Sequence, residues 1–178
     1  MEYSFHFVER SPALFALLTV AGLMMQPGVL APAGMMKPAI RPGPVGRGNP
    51  ILGPVINPGG IGAPASAYNH AVLVERPART LYLSGQIGER PDGSISSDFT
   101  EQACQTWTNI TAILAEGGMG IADLVKLTSY VVGREHVRPY YEIHREAVGG
   151  LLPPWTLVLV AGLGRPQYLI EVEAIAVQ

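Results

Sequence analysis

Only two segments of this 178-residue chain carry the periodicity of an amphipathic helix, and strand-like segments flank both of them. In the first, apolar residues recur every three or four positions between Phe99 and Leu114, which places them on one helix face. Asp98 stands three residues before Glu101, a spacing that predicts a capping box at the helix start. The glycines at positions 117 and 118 predict its end.

The second helix is predicted from about His136 to Val148, with Pro139 tolerated in its first turn and two glycines after its end. Short apolar segments bounded by turn residues predict strands at Ala71–Glu75, Thr80–Ile87, Leu124–Gly133, Trp155–Ala161 and Tyr168–Val177. The short turn between the first two strands predicts a hairpin. The predicted order is therefore β-β-α-β-α-β-β.

Two helices cannot cover both faces of a mixed sheet of five or six strands. The fold class that follows is α+β, with both helices on one face of the sheet. We expect the other face to meet further subunits.

Residues 1–54 differ in composition from residues 55–178, which form the predicted domain. Nine of the sixteen prolines and nine of the twenty-one glycines lie before position 61, which indicates a flexible arm.

Residues 11–25 are an apolar run of signal-peptide length, too short for stable membrane insertion. We expect a cytoplasmic protein, or an exported one if residues 11–33 act as a signal peptide. A third interpretation is that the true start lies at Met35 or Met36.

Charge and cysteine content exclude several classes of partner. The formal net charge of -2 and the scattered basic residues provide no field that would gather nucleic acid. Cys104 is the only cysteine, so neither an intramolecular disulfide nor a thiolate metal cluster is available. No His-x-x-x-His pair is present, and we expect no metal and no cofactor.

Three segments resemble the RidA family, the reactive intermediate deaminases also called YjgF: Leu81–Ile87, Leu152–Val158 and Ile170–Ala176. The similarity runs from Val55 to Val177. It implies a fold like the chorismate mutase of bacilli, and a homotrimer whose sheets wrap into a barrel with ligand clefts between neighbouring subunits.

The resemblance also draws attention to Trp155. In the family, a Pro-Ala-Arg or Pro-Pro-Arg step supplies an arginine that binds the carboxylate of an enamine or imine substrate, and here Trp155 follows the two prolines. An indole cannot form the two parallel hydrogen bonds of a guanidinium. Arg165, in the loop before the last strand, is the only tenable substitute, and an exposed turn residue is the alternative interpretation.

Other site residues are implied by position in the family. Glu171 matches the glutamate that holds the attacking water, and Tyr68 matches a ring that lines the cleft. The backbone at Ser84 and Gly85 lies beside the ligand in the family, although Gly85 also suits a strand bulge. Asn109 matches a helix asparagine, for which a satisfied helix-face amide is the alternative.

Two functions follow from this pattern. The first is hydrolysis of an enamine or imine of non-standard specificity, because a site without the arginine disfavours 2-iminoacids and accepts neutral, aromatic or cationic molecules. Such ligands would contact Tyr68 or the apolar face and N–H of Trp155. The second is a noncatalytic trimer that binds a small metabolite or a partner protein.

Overall fold

The computed structural model describes residues 52–66 and 68–178. The predicted arm over residues 1–54, with its signal-like segment at 11–25, therefore lies outside the described residues except for its last three positions. Those three positions belong to the first strand rather than to a linker. Across the described ranges, no helix combines the length and apolarity needed to cross a membrane.

The described part of the chain contains six strands and two α-helices. In chain order they are β1 (Leu52–Ile56), β2 (Ala71–Val74), β3 (Thr80–Gln86), α1 (Phe99–Glu116), β4 (Leu124–Val132), α2 (Val137–Ala147), β5 (Trp155–Val160) and β6 (Ile170–Val177). Every element predicted from the sequence is confirmed to within a few residues. Strand β1 is an addition to that prediction.

The start of α1 shows half of the predicted capping box. The Asp98 carboxylate accepts a hydrogen bond from the backbone N–H of Glu101 at 2.9 Å. The Glu101 carboxylate pairs instead with Arg90 at 3.0 Å, and the Asp98 N–H donates to the Ser96 hydroxyl. The helix ends at Glu116, directly before the two glycines that predicted its end, and the second of them, Gly118, has a φ of +69°.

Four of the strands form one mixed sheet in the order β3-β6-β4-β5. Strand β6 runs antiparallel to both of its neighbours, and β5 runs parallel to β4. The α+β class and the mixed sheet are therefore confirmed.

The predicted hairpin between β2 and β3 is wrong. Strand β2 pairs with β1 in a separate two-stranded sheet, whereas β3 pairs with the C-terminal β6. The chain leaves β2 through Arg76, whose φ of 50° marks a sharp turn. Two backbone hydrogen bonds then join Arg79 to Gln178, next to the pairing of β3 with the C-terminal strand β6.

Strand β6 defines the two faces of the main sheet, because its side chains alternate between them. One face contributes four buried residues to the core under the helices: Ile170, Val172, Ala174 and Ala176. Glu171 and Glu173 lie on the opposite face. That face is open in the protomer, and Tyr82 on β3 is 74% exposed there.

Candidate active site

Glu171 lies on the open face of the sheet, directly against the backbone of Gly85. A Cβ atom built on Gly85 would stand only 1.8 Å from Oε1 of Glu171, so no other residue fits here without moving the carboxylate. The pairing of β3 with β6 is also irregular between Leu83 and Gln86. Gly85 therefore lies at a strand irregularity, the structural alternative considered from the sequence, and its missing Cβ makes room for the Glu171 carboxylate.

The neighbouring residues of β3 shape this irregularity. Ser84 is exposed, and its carbonyl oxygen accepts a hydrogen bond from the side-chain amide of Gln86 at 3.1 Å. The structure thus brings Ser84, Gly85 and Glu171 together, as the family resemblance implies. Gln86 was not singled out by sequence reasoning, although it follows Ser84 and Gly85 directly.

Tyr130 is a second residue of this face that sequence reasoning missed. Its hydroxyl donates to the Glu173 carboxylate at 3.1 Å. That hydrogen bond, with the charges of Glu173 and Glu171 and some burial, raises the pKa of Tyr130. The alternation along β4 was the available signal, because it places Tyr130 opposite Glu171.

The Trp155 indole is part of the protomer core, with 7% of the residue exposed. It stacks on the imidazole of His144 with ring centroids 3.7 Å apart. Its N–H donates to the Ser129 hydroxyl at 3.0 Å, and that hydroxyl also hydrogen-bonds Tyr140 at 2.9 Å.

This placement corrects one expectation for Trp155. The sequence predicted that the indole would offer its N–H and a broad apolar face to a ligand, but Ser129 takes the N–H and His144 covers a ring face. The physical reason is that an uncharged ring enters an aromatic core at little cost, whereas a charged group would lose its hydration there.

Trp155 nevertheless lines a cavity of about 460 Å³. Its other aromatic walls are Tyr68, His70 and Tyr141, and the remaining lining residues are Ala65, Ser66, Thr156 and Leu157. The volume is in the range of small-molecule sites. Tyr68 and Trp155 are therefore brought together as expected, while His70 and Tyr141 are additions to the predicted set.

The electrostatics of this aromatic cavity are close to neutral. None of the described residues that line it is a lysine, an arginine or a carboxylate. His70 donates from Nε2 to the Gly62 carbonyl, 2.8 Å away, which fixes the orientation of its ring. A ligand in this cavity would meet aromatic and hydroxyl groups rather than a countercharge.

Glu171 and Trp155 lie apart within one protomer. Trp155 on β5 pairs with Leu127 on β4, and Leu127 pairs with Ala174 on β6, whose side chain is on the helix-covered face. Glu171 lies three positions before Ala174 on β6 and pairs with Tyr130. Because side chains alternate along β6, Glu171 and Trp155 are on opposite faces of the sheet. The Glu171 carboxylate and the aromatic cavity therefore do not form one site within a protomer.

The last two predicted site residues have local structural partners. The Asn109 amide donates to the carbonyl oxygens of Ile87 and Glu89, at 3.0 and 2.9 Å, and so holds the chain that leaves β3. Arg165 is exposed in its loop, with its guanidinium carbon 5.9 Å from the ring centre of Tyr168. These contacts agree with the structural alternatives considered for both residues.

The described ranges contain no group of three or more His, Cys, Asp or Glu side chains arranged as metal ligands.

Comparison with known proteins gives consistent results. The Endoribonuclease L-PSP family model matches residues 61–178. The 2-iminobutanoate/2-iminopropanoate deaminase of Rattus norvegicus is 35% identical over 130 residues, which are 72% of this chain and 92% of the relative. The Homo sapiens protein of the same name is 33% identical, over 68% of this chain and 84% of its own length.

Solved structures agree in fold. A Rid family protein of unknown function from Yersinia pestis, YyfB, superposes with a TM-score of 0.63 at 29% identity, and covers 70% of this chain and 98% of its own. RidA from an Antarctic Psychrobacter superposes with a TM-score of 0.51 at 29% identity, over 65% of this chain and 92% of its own.

Proposed function

The chain belongs to the Endoribonuclease L-PSP family, the RidA or YjgF family of the sequence resemblance, and on that premise we propose that it hydrolyses imines whose recognition needs no carboxylate clamp. The single observation that carries the proposal is the contact between the Glu171 carboxylate and the Gly85 backbone. Neither ion pair found among the described residues involves Glu171. The carboxylate is therefore free to hold a water molecule.

The reaction needs few groups. Water held by Glu171 adds to the carbon of the C=N bond, and the carboxylate accepts the proton that the water loses. Return of that proton to nitrogen gives a carbinolamine. Transfer of the carbinolamine hydroxyl proton to nitrogen, as the C–N bond breaks, then gives a carbonyl compound and ammonia. An enamine substrate would first become its imine by proton transfer to carbon.

The aromatic cavity around Tyr68 and Trp155 supports the choice of substrate class. A 2-iminoacid would lose the hydration of its carboxylate there without gaining a cationic partner. Neutral or aromatic imines avoid that cost. The mammalian relatives named as 2-iminobutanoate/2-iminopropanoate deaminases would then differ from this protein in specificity.

We further propose that the complete site forms between two protomers of a homotrimer. The opposite placement of Glu171 and Trp155 supports this, because a substrate could contact both only if the aromatic cavity of one subunit faced the Glu171 carboxylate of the next. The resemblance to RidA implies the same arrangement.

The test compares two substrates in the full-length protein. 2-Iminobutanoate, generated from threonine by a dehydratase, should be hydrolysed far more slowly than a neutral aromatic imine. Glu171→Gln should abolish turnover of the preferred imine, whereas Glu116→Gln, an exposed carboxylate on α1, should leave it unchanged. Rapid hydrolysis of 2-iminobutanoate would contradict the proposed specificity.

A noncatalytic binding protein is the second candidate. The observation that favours it is the commitment of the Trp155 N–H to Ser129, which removes that donor from the aromatic cavity. If the protein only binds its ligand, the ligand should stabilise both the wild type and Glu171→Gln against unfolding, and neither protein should show turnover. Trp155→Arg also separates the hydrolase from the noncatalytic binding protein. A folded Trp155→Arg variant that gains 2-iminobutanoate hydrolysis would show that the remaining catalytic groups are intact.

A further inference from the structure

His70 lines the aromatic cavity, and only one of its two ring nitrogens has a hydrogen-bond partner among the described residues. Nε2 lies 2.8 Å from the carbonyl oxygen of Gly62, and a carbonyl oxygen can only accept, so Nε2 carries the proton. In a neutral imidazole the other nitrogen, Nδ1, then keeps its lone pair. Unlike both nitrogens of His144, Nδ1 of His70 is not buried away from solvent. It is therefore able to accept a hydrogen bond from a ligand.

The backbone of His70 is fixed by a pair of asparagines. Its N–H donates to the side-chain oxygen of Asn57 at 2.8 Å, and the Asn57 side-chain N–H donates to the side-chain oxygen of Asn69 at 2.8 Å. Asn69 in turn donates twice to the carbonyl oxygen of Leu152, from its backbone at 3.1 Å and from its side chain at 2.7 Å. Leu152 precedes Trp155 by three residues. These hydrogen bonds therefore fix the position of His70 relative to the Trp155 wall of the cavity.

Nδ1 of His70 differs from the other polar side-chain atoms of this cavity. Those atoms belong to hydroxyl groups, which both donate and accept, whereas Nδ1 of the neutral ring can only accept. A fixed group that can only accept disfavours a ligand without a donor, because its lone pair would lose water and gain no partner. We infer that Nδ1 of His70 accepts a hydrogen bond from a ligand N–H, so that the cavity selects planar neutral molecules that carry this donor.

On the proposed function, on which this step rests, the N–H donor is the imine nitrogen. An imine that releases ammonia on hydrolysis carries hydrogen on its nitrogen, whereas an N-alkyl imine has no such hydrogen to donate. A hydrogen bond to Nδ1 would hold the imine nitrogen at His70 and leave the C=N carbon for water held by Glu171 of the partner subunit. Imines without a substituent on nitrogen are therefore the expected substrates.

Nitrogen NMR tests the state of the His70 ring directly. In full-length protein labelled with ¹⁵N at its four histidines, His70→Phe identifies the His70 signals by their loss. At a pH of about 8.5, where an ordinary histidine is neutral, Nε2 should carry the proton and Nδ1 should not. Benzamide, a planar neutral aromatic amide with N–H donors, should shift the Nδ1 signal saturably. A proton on Nδ1 in the free protein, or the lack of a saturable shift, would overturn the inference.

Affinities measured by calorimetry separate the hydrogen bond from the shape of the cavity. His70→Phe should weaken benzamide binding by about tenfold or more, because an aromatic ring remains and the acceptor is lost. N,N-Dimethylbenzamide has no N–H, so the same substitution should leave its affinity within about threefold of the wild-type value. His136→Phe is the matched control, because His136 stacks on Phe99 outside this cavity, and it should alter neither affinity. An equal loss for both amides in His70→Phe would assign His70 to packing alone.

Turnover assays on the same proteins distinguish the His70 acceptor from the proposed hydrolysis. If the wild type hydrolyses no imine but both benzamide results are obtained, the hydrolysis is wrong and the acceptor role of His70 stands. If the wild type hydrolyses an aromatic imine and His70→Phe binds benzamide as tightly as the wild type does, the hydrolysis stands and the acceptor role is wrong.

Discussion

The indole of Trp155 and the imidazole of His144 lie nearly parallel, with 13° between their planes and 3.7 Å between their centroids. His144 is completely buried, and neither of its ring nitrogens has a hydrogen-bond partner. The stack joins β5 to α2, and the bond from Trp155 to Ser129 joins the same indole to β4. Position 155 therefore contributes to the stability of the protomer as well as to the wall of the aromatic cavity.

Trp155→Arg should lower the free energy of unfolding by more than about 2 kcal/mol, because the guanidinium replaces a buried ring and meets no carboxylate there. Urea unfolding at neutral pH measures the change. Trp155→Phe is the matched control: it keeps an aromatic ring, loses only the bond to Ser129 and part of the ring volume, and should cost less. A Trp155→Arg protein as stable as the wild type would show that the side chain leaves the core.

Acid should destabilise the fold through His144. Burial lowers the pKa of His144 to about 4, whereas a histidine in the unfolded chain titrates near its usual value of about 6.5. As the pH falls from about 6.5 towards 4, the unfolded state takes up a proton that the folded state resists. The contribution lost over this window is about 3 kcal/mol.

The matched variant for this prediction is His144→Phe, which keeps a ring against Trp155 and removes the titrating group. Urea unfolding at several pH values between 7.5 and 4.5 should show a weaker pH dependence in the variant than in the wild type. Because both nitrogens of His144 lack partners, the variant should lose little stability at pH 7.5. Identical pH dependence in the two proteins would exclude His144 as the cause.

The parts of the fold set by local patterns were predictable from the sequence. The capping residue Asp98, the helix face from Phe99 to Leu114 and the alternation along β6 all depend on neighbours a few residues away. The pairing of β3 with β6 could not be predicted in this way, because it depends on a partner about ninety positions along the chain. The false hairpin came from a local turn signal, whereas the structure pairs β2 with β1 and β3 with β6.

The same division applies to the candidate site. The contact between Glu171 and Gly85 agrees with the family resemblance and with the absence of a Cβ at Gly85. The burial of Trp155 could not be inferred, because it depends on Ser129 and His144 on other elements. By sequence, position 155 is the site of a missing charge, whereas in the structure Trp155 completes an aromatic cluster.

The open sheet face should mediate assembly. Tyr82 is 74% exposed at the edge strand of this face, and a large exposed aromatic side chain is typical of a surface that meets a partner. We expect a mass three times the chain mass of 19.0 kDa in light scattering after size exclusion. Tyr82→Glu should lower that mass, whereas Glu116→Gln on the helix side should not. A monomeric wild-type protein would contradict the proposed site between subunits.

Two glycines at the end of β3 should respond differently to the same substitution. In Gly85→Ala the new methyl group meets the far end of the flexible Glu171 side chain, so the carboxylate can move aside at a cost of less than about 1 kcal/mol. In Gly88→Ala the methyl group meets the Gln102 backbone at 2.5 Å, and α1 would have to shift, at a cost of about 1–3 kcal/mol or more. Urea unfolding and imine turnover, measured on both variants, separate the two effects. Gly85→Ala should remain close to wild-type stability but lose turnover as Glu171→Gln does, because the water-holding carboxylate is displaced. Gly88→Ala should lose stability and keep its turnover while it is folded. A Gly85→Ala protein with unchanged turnover would show that Glu171 takes no part in the proposed reaction.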